Sequence, residues 1–195
     1  MEKVPHVAAR RPARDRLKGL AKEGGTAIYG RMSTVVKSTV VAAFLLALGM
    51  GSAQAQTGTF IDTFGVWNAF SDKENGKPLC YIASLPEKSA GKYSERGDAY
   101  VMITLRPGEN KTGEVSIRAG YVYKKDTDTL ARVDSGKPFK LFTDGGYAWT
   151  RDTETDHALI VAMRGGGVMI VEGTSTRGTL TTDTYSLKGF TAAYN

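Results

Sequence analysis

Glu114-Val115-Ser116-Ile117-Arg118-Ala119-Gly120-Tyr121-Val122-Tyr123 decides the fold class. From Glu114 to Ala119 polar and apolar side chains alternate strictly. That is the period of a strand with one face on a core and the other in water. Similar stretches lie on both sides of it. Upstream, residues 59–67, 79–84 and 99–106 are rich in β-branched and aromatic residues, with a bend expected at Gly65. Downstream, 129–133, 139–143, 147–149, 168–174 and 179–187 read the same way. Turn chemistry separates them: a polar turn over 71–78 with Asn75-Gly76 as the hairpin signal, a polar loop over 86–97, Pro107-Gly108, 134–137, and Asp144-Gly145-Gly146. In one place the period changes. Thr153-Glu154-Thr155-Asp156 resembles a capping box, 158–164 can continue as a helix, and Gly165-Gly166-Gly167 stops it. This predicts a connection of two to three turns rather than a layer. About eight short strands spaced roughly ten residues apart, with one brief helix, specify an all-β sandwich.

The chain divides before this domain begins. Lys37 is followed by an apolar run from Val40 to Leu48, then Gly51-Ser52 and Ala53-Gln54-Ala55. Basic, apolar and small residues in that order make a secretory signal peptide, with Ala53 and Ala55 at the two positions signal peptidase reads. The run falls short of the ~20 apolar residues that ~30 Å of hydrocarbon requires. No cysteine follows it for lipid attachment. Residues 1–55 are therefore read as a leader: 32–55 as the signal peptide, cleaved after Ala55, and 1–31 as an over-called gene start or an extension too poor in apolar residues to fold. Residues 56–195 form one domain, long enough for a core.

The leader also decides what the charge means. A formal charge of +6 and a pI near 9.4 would suggest nucleic acid. Nine of the 26 basic and three of the 20 acidic residues precede residue 56, which leaves 17 of each in the mature chain. The mature domain is neutral, and nucleic-acid binding loses its support. Membrane contact is expected only through an uncleaved leader.

Chemistry-bearing residues are few. Cys80 is the single cysteine, so no internal disulfide forms; it is read as a buried small side chain or a free thiol. His157 is the one histidine after the leader and sits at a helix start, where solvation explains it. No ligand spacing fits zinc, and Asp126/Asp128 and Asp152/Glu154/Asp156 match a calcium loop poorly. The glycine run follows a helix, the wrong order for a phosphate loop. No cofactor, metal or catalytic residue is expected. Trp67, Tyr81, Tyr100, Tyr121, Tyr123, Tyr147 and Trp149 serve as core and rim, or as the lining of a carbohydrate or peptide groove. The threonine-rich stretch 173–185 reads as a hairpin with a solvated polar face, or as an edge for strand addition.

The last third carries a pattern: Phe139-Lys140-Leu141-Phe142-Thr143, Ala148-Trp149, Asp156, Ala162-Met163, Gly173-Thr174-Ser175, Arg177-Gly178-Thr179, and 182–190 (TDTYSLKGF). With Gly65, Trp67 and Cys80-Tyr81, it resembles the invasion-associated locus B (IalB) family across the whole mature chain. The resemblance implies an immunoglobulin-like β-sandwich exported to the envelope of alphaproteobacteria, in a family named for host-cell entry in one pathogenic lineage. It implies no catalytic residues. Family members often carry further cysteines able to pair, which this chain lacks. The expected role is therefore non-enzymatic: a periplasmic protein that binds or supports an envelope protein or a cell-wall component. A carbohydrate-active or lectin-like protein is the alternative.

Overall fold

A computed structural model of the chain describes residues 58–109 and 113–195. The leader reading, with Ala53 and Ala55, falls outside the described residues. Eleven strands and two helices follow in the order β1 (Thr59–Phe64), β2 (Trp67–Glu74), β3 (Lys77–Ser84), β4 (Lys88–Gly91), β5 (Tyr100–Leu105), β6 (Glu114–Arg118), β7 (Thr129–Val133), β8 (Phe139–Asp144), β9 (Tyr147–Trp149), α1 (Thr153–Gly165), β10 (Val168–Thr174), β11 (Leu180–Ser186) and α2 (Phe190–Tyr194). The expected all-β sandwich forms. Its two packed halves belong to one continuous antiparallel sheet in the order β1-β2-β3-β5-β6-β9-β8-β7-β10-β11-β4.

β8 is the fold line. Phe139, Lys140 and Leu141 pair with β7, whereas Phe142, Thr143 and Asp144 pair with β9. One strand thus serves both halves. Ile82, Val101, Ile103, Val115, Ile117 and Ala148 from one half meet Ala131, Leu141, Met169, Val171 and Tyr185 from the other in a single buried cluster. Val115 and Ile117 of β6 face this core as expected, at 0% and 1% exposure, but the opposite face is not left in water: Ser116 is only 4% exposed.

Four sequence expectations change. The single strand expected over 59–67 is two strands, because Gly65 takes φ +60° and turns the chain; a Cβ there would lie 2.4 Å from the Lys188 carbonyl oxygen. The polar turn expected over 71–78 shrinks to Asn75 and Gly76, both at positive φ, and the strands run up to it on each side. The loop expected over 86–97 contains β4, four exposed residues paired with β11 at the sheet edge. The helix is longer than expected, at 13 residues, and its N-cap is Asp152, whose carboxylate accepts from the Thr155 amide at 2.7 Å.

α1 is a connection, as expected, and also closes one end of the core. Leu159, Ile160 and Met163 fall on one helical face and are 0–2% exposed. Each contributes about 1.5–3 kcal/mol by leaving water. In its first turn, Asp156 points inward and accepts from the Val115 amide at 2.8 Å and the Thr150 hydroxyl at 2.6 Å. The last acid of the capping-box-like stretch is therefore the pin that fixes α1 to the start of β6.

Candidate binding cleft

The opposite end of β6 is built differently. The run 114–123 breaks at Gly120, where φ is +75° and a Cβ would meet the Gly97 carbonyl oxygen at 2.2 Å. The two main chains touch there, with the Gly97 amide donating to the Gly120 carbonyl at 2.9 Å. That contact brings the segment from Lys92 to Gly97 down across the end of the sandwich.

From this segment Arg96 enters the interior. Its Nε donates to the Ala119 carbonyl at 2.6 Å, and its Nη1 and Nη2 donate to Asp183 Oδ1 and Oδ2 at 2.7 and 2.5 Å. Two parallel bonds of this kind match the guanidinium fork to the carboxylate. Both side chains are nearly dry, at 6% and 4% exposure. Burial alone would lower the Arg96 pKa, but the Asp183 carboxylate, with Tyr93 and Tyr121 adding to it, holds the pKa above the ordinary arginine value. The rings of Tyr121 and Tyr93 lie 5.1 and 5.5 Å from the guanidinium carbon. The Tyr121 hydroxyl in turn shares a 2.6 Å bond with Thr181 Oγ1. Burial raises the Tyr121 pKa, with Thr181 and Arg96 acting against it.

Asp183 is inside because β11 alternates. Thr181, Asp183 and Tyr185 point inward at 2%, 3% and 0% exposure. The polar outer face expected for this stretch is present, with Thr182, Thr184 and Ser186 half-buried, but the inward face is polar as well, with Asp183 neutralised by Arg96. Strand addition at this hairpin is also closed off, because β10 lies between β7 and β11, and β11 between β10 and β4. Neither strand has a free edge. The Tyr185 hydroxyl, wholly buried, has no hydrogen-bond partner among the described residues, and burial pushes its pKa well up.

Above the Arg96–Asp183 pair opens a cleft of about 930 Å³. One wall is the segment 92–97 and the other is the turn after β10, with Ser175, Arg177 and Thr179. Tyr93 and Val122 leave 38% and 56% of their surface exposed within it. Its free carboxylate is Glu95, since Asp183 is spent on Arg96. His157 is exposed on α1 and Cys80 is half-buried on β3, so neither lines the cleft. Among the described residues the lining therefore offers hydroxyls, two tyrosine rings and charges, but no thiol or imidazole.

The other expected groove aromatics separate. Trp67 and Tyr123 are core residues. Tyr81, Tyr100, Tyr147 and Trp149 instead lie on the outer face of the half-sheet β1-β2-β3-β5-β6-β9, where a layered stack forms. Arg118 sits 5.9 Å from the Tyr147 ring, Tyr147 is 5.5 Å from Trp149, Trp149 is 5.7 Å from Phe142, and Arg151 is 5.9 Å from Phe142. The stacked rings cover one another's faces, so the stack stiffens the sheet rather than lining a groove. Asp128 anchors its end by accepting from Arg151 at 3.0 Å. Among the described residues no group of three His, Cys, Asp or Glu side chains is placed to hold a metal ion.

A folded-over antiparallel sheet with one connecting helix and a polar cleft across one end defines an all-β sandwich. The chain matches the model of the invasion associated locus B (IalB) protein over residues 67–195 and belongs to that family. It is similar in structure to invasion associated protein B from Bartonella henselae, with a TM-score of 0.50 and 17% identity over 68% of this chain and 90% of that one. At that identity the likeness speaks to the fold. No curated protein matches the chain in sequence.

Proposed function

We propose that this chain is an exported periplasmic protein of the cell envelope that works by binding another envelope component and catalyses no reaction. The order of Lys37, the apolar run and Ala53-Gln54-Ala55 supports export with cleavage after Ala55, and family membership supports an envelope setting. One observation carries the binding reading. Part of the C-terminal pattern that resembles the family lies at the cleft: Ser175, Arg177 and Thr179 form one wall, and Asp183 fixes the floor through Arg96. A floor held by a satisfied ion pair is rigid before any ligand arrives, and such preorganisation favours affinity. The role in host-cell invasion for which the Bartonella henselae protein is named would be exercised through this same surface.

Photo-cross-linking in intact cells tests the proposal. A photoreactive residue replacing Thr176, in the cleft, is expected to capture a partner. The same residue replacing Val161, exposed on α1 and outside the cleft, is expected to capture none. The protein recovered from the periplasmic fraction should have the intact mass of a chain starting at Gln56. Equal capture at both positions, no capture at 176, or an uncleaved cytoplasmic chain would overturn it.

A further inference from the structure

We infer that the cleft is an oligosaccharide site that prefers glycans bearing a carboxylate; this rests on the binding role proposed above and names its ligand class. The main chain of the walls makes the first argument. Ser175 and Thr176 amides donate to the Thr179 and Val122 carbonyls, Lys124 to Thr174, and Gly97 to Gly120. These four amides are consumed internally and offer a peptide no strand pairing of their own. Recognition falls to side chains.

The side chains present suit a sugar. Tyr93 is 38% exposed, and the buried Arg96 guanidinium lies 5.5 Å from its ring centre, which fixes the ring. A fixed, half-exposed ring is a platform for the C–H face of a pyranose, and rigid aromatic anchors cost little entropy to use. Ser94, Thr176 and Thr179 supply hydroxyls on the two walls, able to donate and accept toward a polyol. The volume of about 930 Å³ lies near the top of the ~300–1,000 Å³ range of small-ligand sites. It holds several rings rather than one. Lys92 and Arg177, one from each wall, have no ion-pair partner among the described residues and outnumber Glu95. Two free cations against one carboxylate favour an acidic substituent. Among the described residues the lining carries one free carboxylate, where the usual glycosidase pair needs two, roughly 5–9.5 Å apart.

Isothermal titration of the mature protein separates the parts of this inference. The probes are a neutral N-acetylglucosamine tetrasaccharide and a tetrasaccharide alternating N-acetylglucosamine with N-acetylmuramic acid. Both should bind, the acidic one more tightly. Tyr93→Ala should weaken both by roughly tenfold, about 1.4 kcal/mol. Arg177→Glu, at an exposed turn that leaves the fold untouched, should abolish only the preference for the acidic probe. Neither glycan binding, full binding by Tyr93→Ala with its thermal transition intact, or an acid preference that survives Arg177→Glu would overturn it. A protein captured at position 176 alongside two silent titrations would sink the glycan reading while leaving the binding role intact.

Discussion

The two ends of β6 each hold a buried carboxylate, and the two are satisfied by opposite means. At its start Asp156 accepts from one main-chain amide and one hydroxyl, all contributed by segments next to α1. Beyond its end Asp183 takes a full guanidinium, delivered by Arg96 from a segment 87 residues away in sequence. The first arrangement needs no charged partner, because the first turn of a helix already favours an anion. It leaves only a recess of about 80 Å³ beside it. The second must import a cation, and the segment that delivers it spans the end of the sandwich and creates the large cleft. A buried ion pair is a poor source of net stability. Here its consequence is architectural: it holds a loop in the position that makes one wall of a binding site.

That contrast can be broken most severely at Arg96. Arg96→Ala leaves Asp183 charged and dry, and removing one partner of a buried pair costs about 3–5 kcal/mol. The midpoint of urea unfolding should fall accordingly. Replacing both partners, Arg96→Met with Asp183→Leu, should recover most of that loss, since apolar pairs of similar volume substitute well for buried ions. If the double variant is as unstable as Arg96→Ala, the pair does more than satisfy itself. Asp156→Ala should cost less, about 1–3 kcal/mol, because it strands an amide and a hydroxyl rather than a charge. Asp156→Asn keeps an accepting oxygen and should fall between the wild type and Asp156→Ala in the same urea titration. Equal losses for Arg96→Ala and Asp156→Ala would erase the distinction between the two ends.

The same contrast explains what could be read from the sequence. The strands were legible because β-branched and aromatic residues recur with turn chemistry between them, and β6 carried its alternation openly. The sandwich class followed from that spacing. The family resemblance lay largely in the C-terminal motif, of which Ser175, Arg177 and Thr179 wall the cleft. Arg96 was not legible: an arginine inside Tyr93-Ser94-Glu95-Arg96-Gly97 resembles any solvated loop residue. Its partner left a trace. Asp183 has the same parity as Tyr185 and Leu187, so an inward strand face that includes those two must also bury an acid, and a buried acid demands a cation. Asp156 was concealed by the helix start, where acids are common for reasons of the dipole alone. β4 was missed because Lys88-Ser89-Ala90-Gly91 has no strand propensity; its pairing with β11 is imposed by tertiary contact.

The smallest effect concerns the exposed neighbour of Asp156. Asp152 caps α1, and the Thr155 amide donating to its carboxylate lowers its pKa below the ordinary 3.8. The folded state therefore favours the ionised form. The resulting stability is fully present above pH 3.8 and is lost as pH falls through the lowered folded value. Asp152→Asn retains an oxygen for the Thr155 amide but cannot ionise. The gap in thermal midpoint between wild type and this variant should be constant from neutral pH down to about 4 and then close on further acidification. Added salt should narrow it at neutral pH, because the interaction of an exposed charge with a helix end is screened. A gap that persists in acid would mean that the cap works by geometry alone, and that the charge at this end of β6 matters only where it is buried.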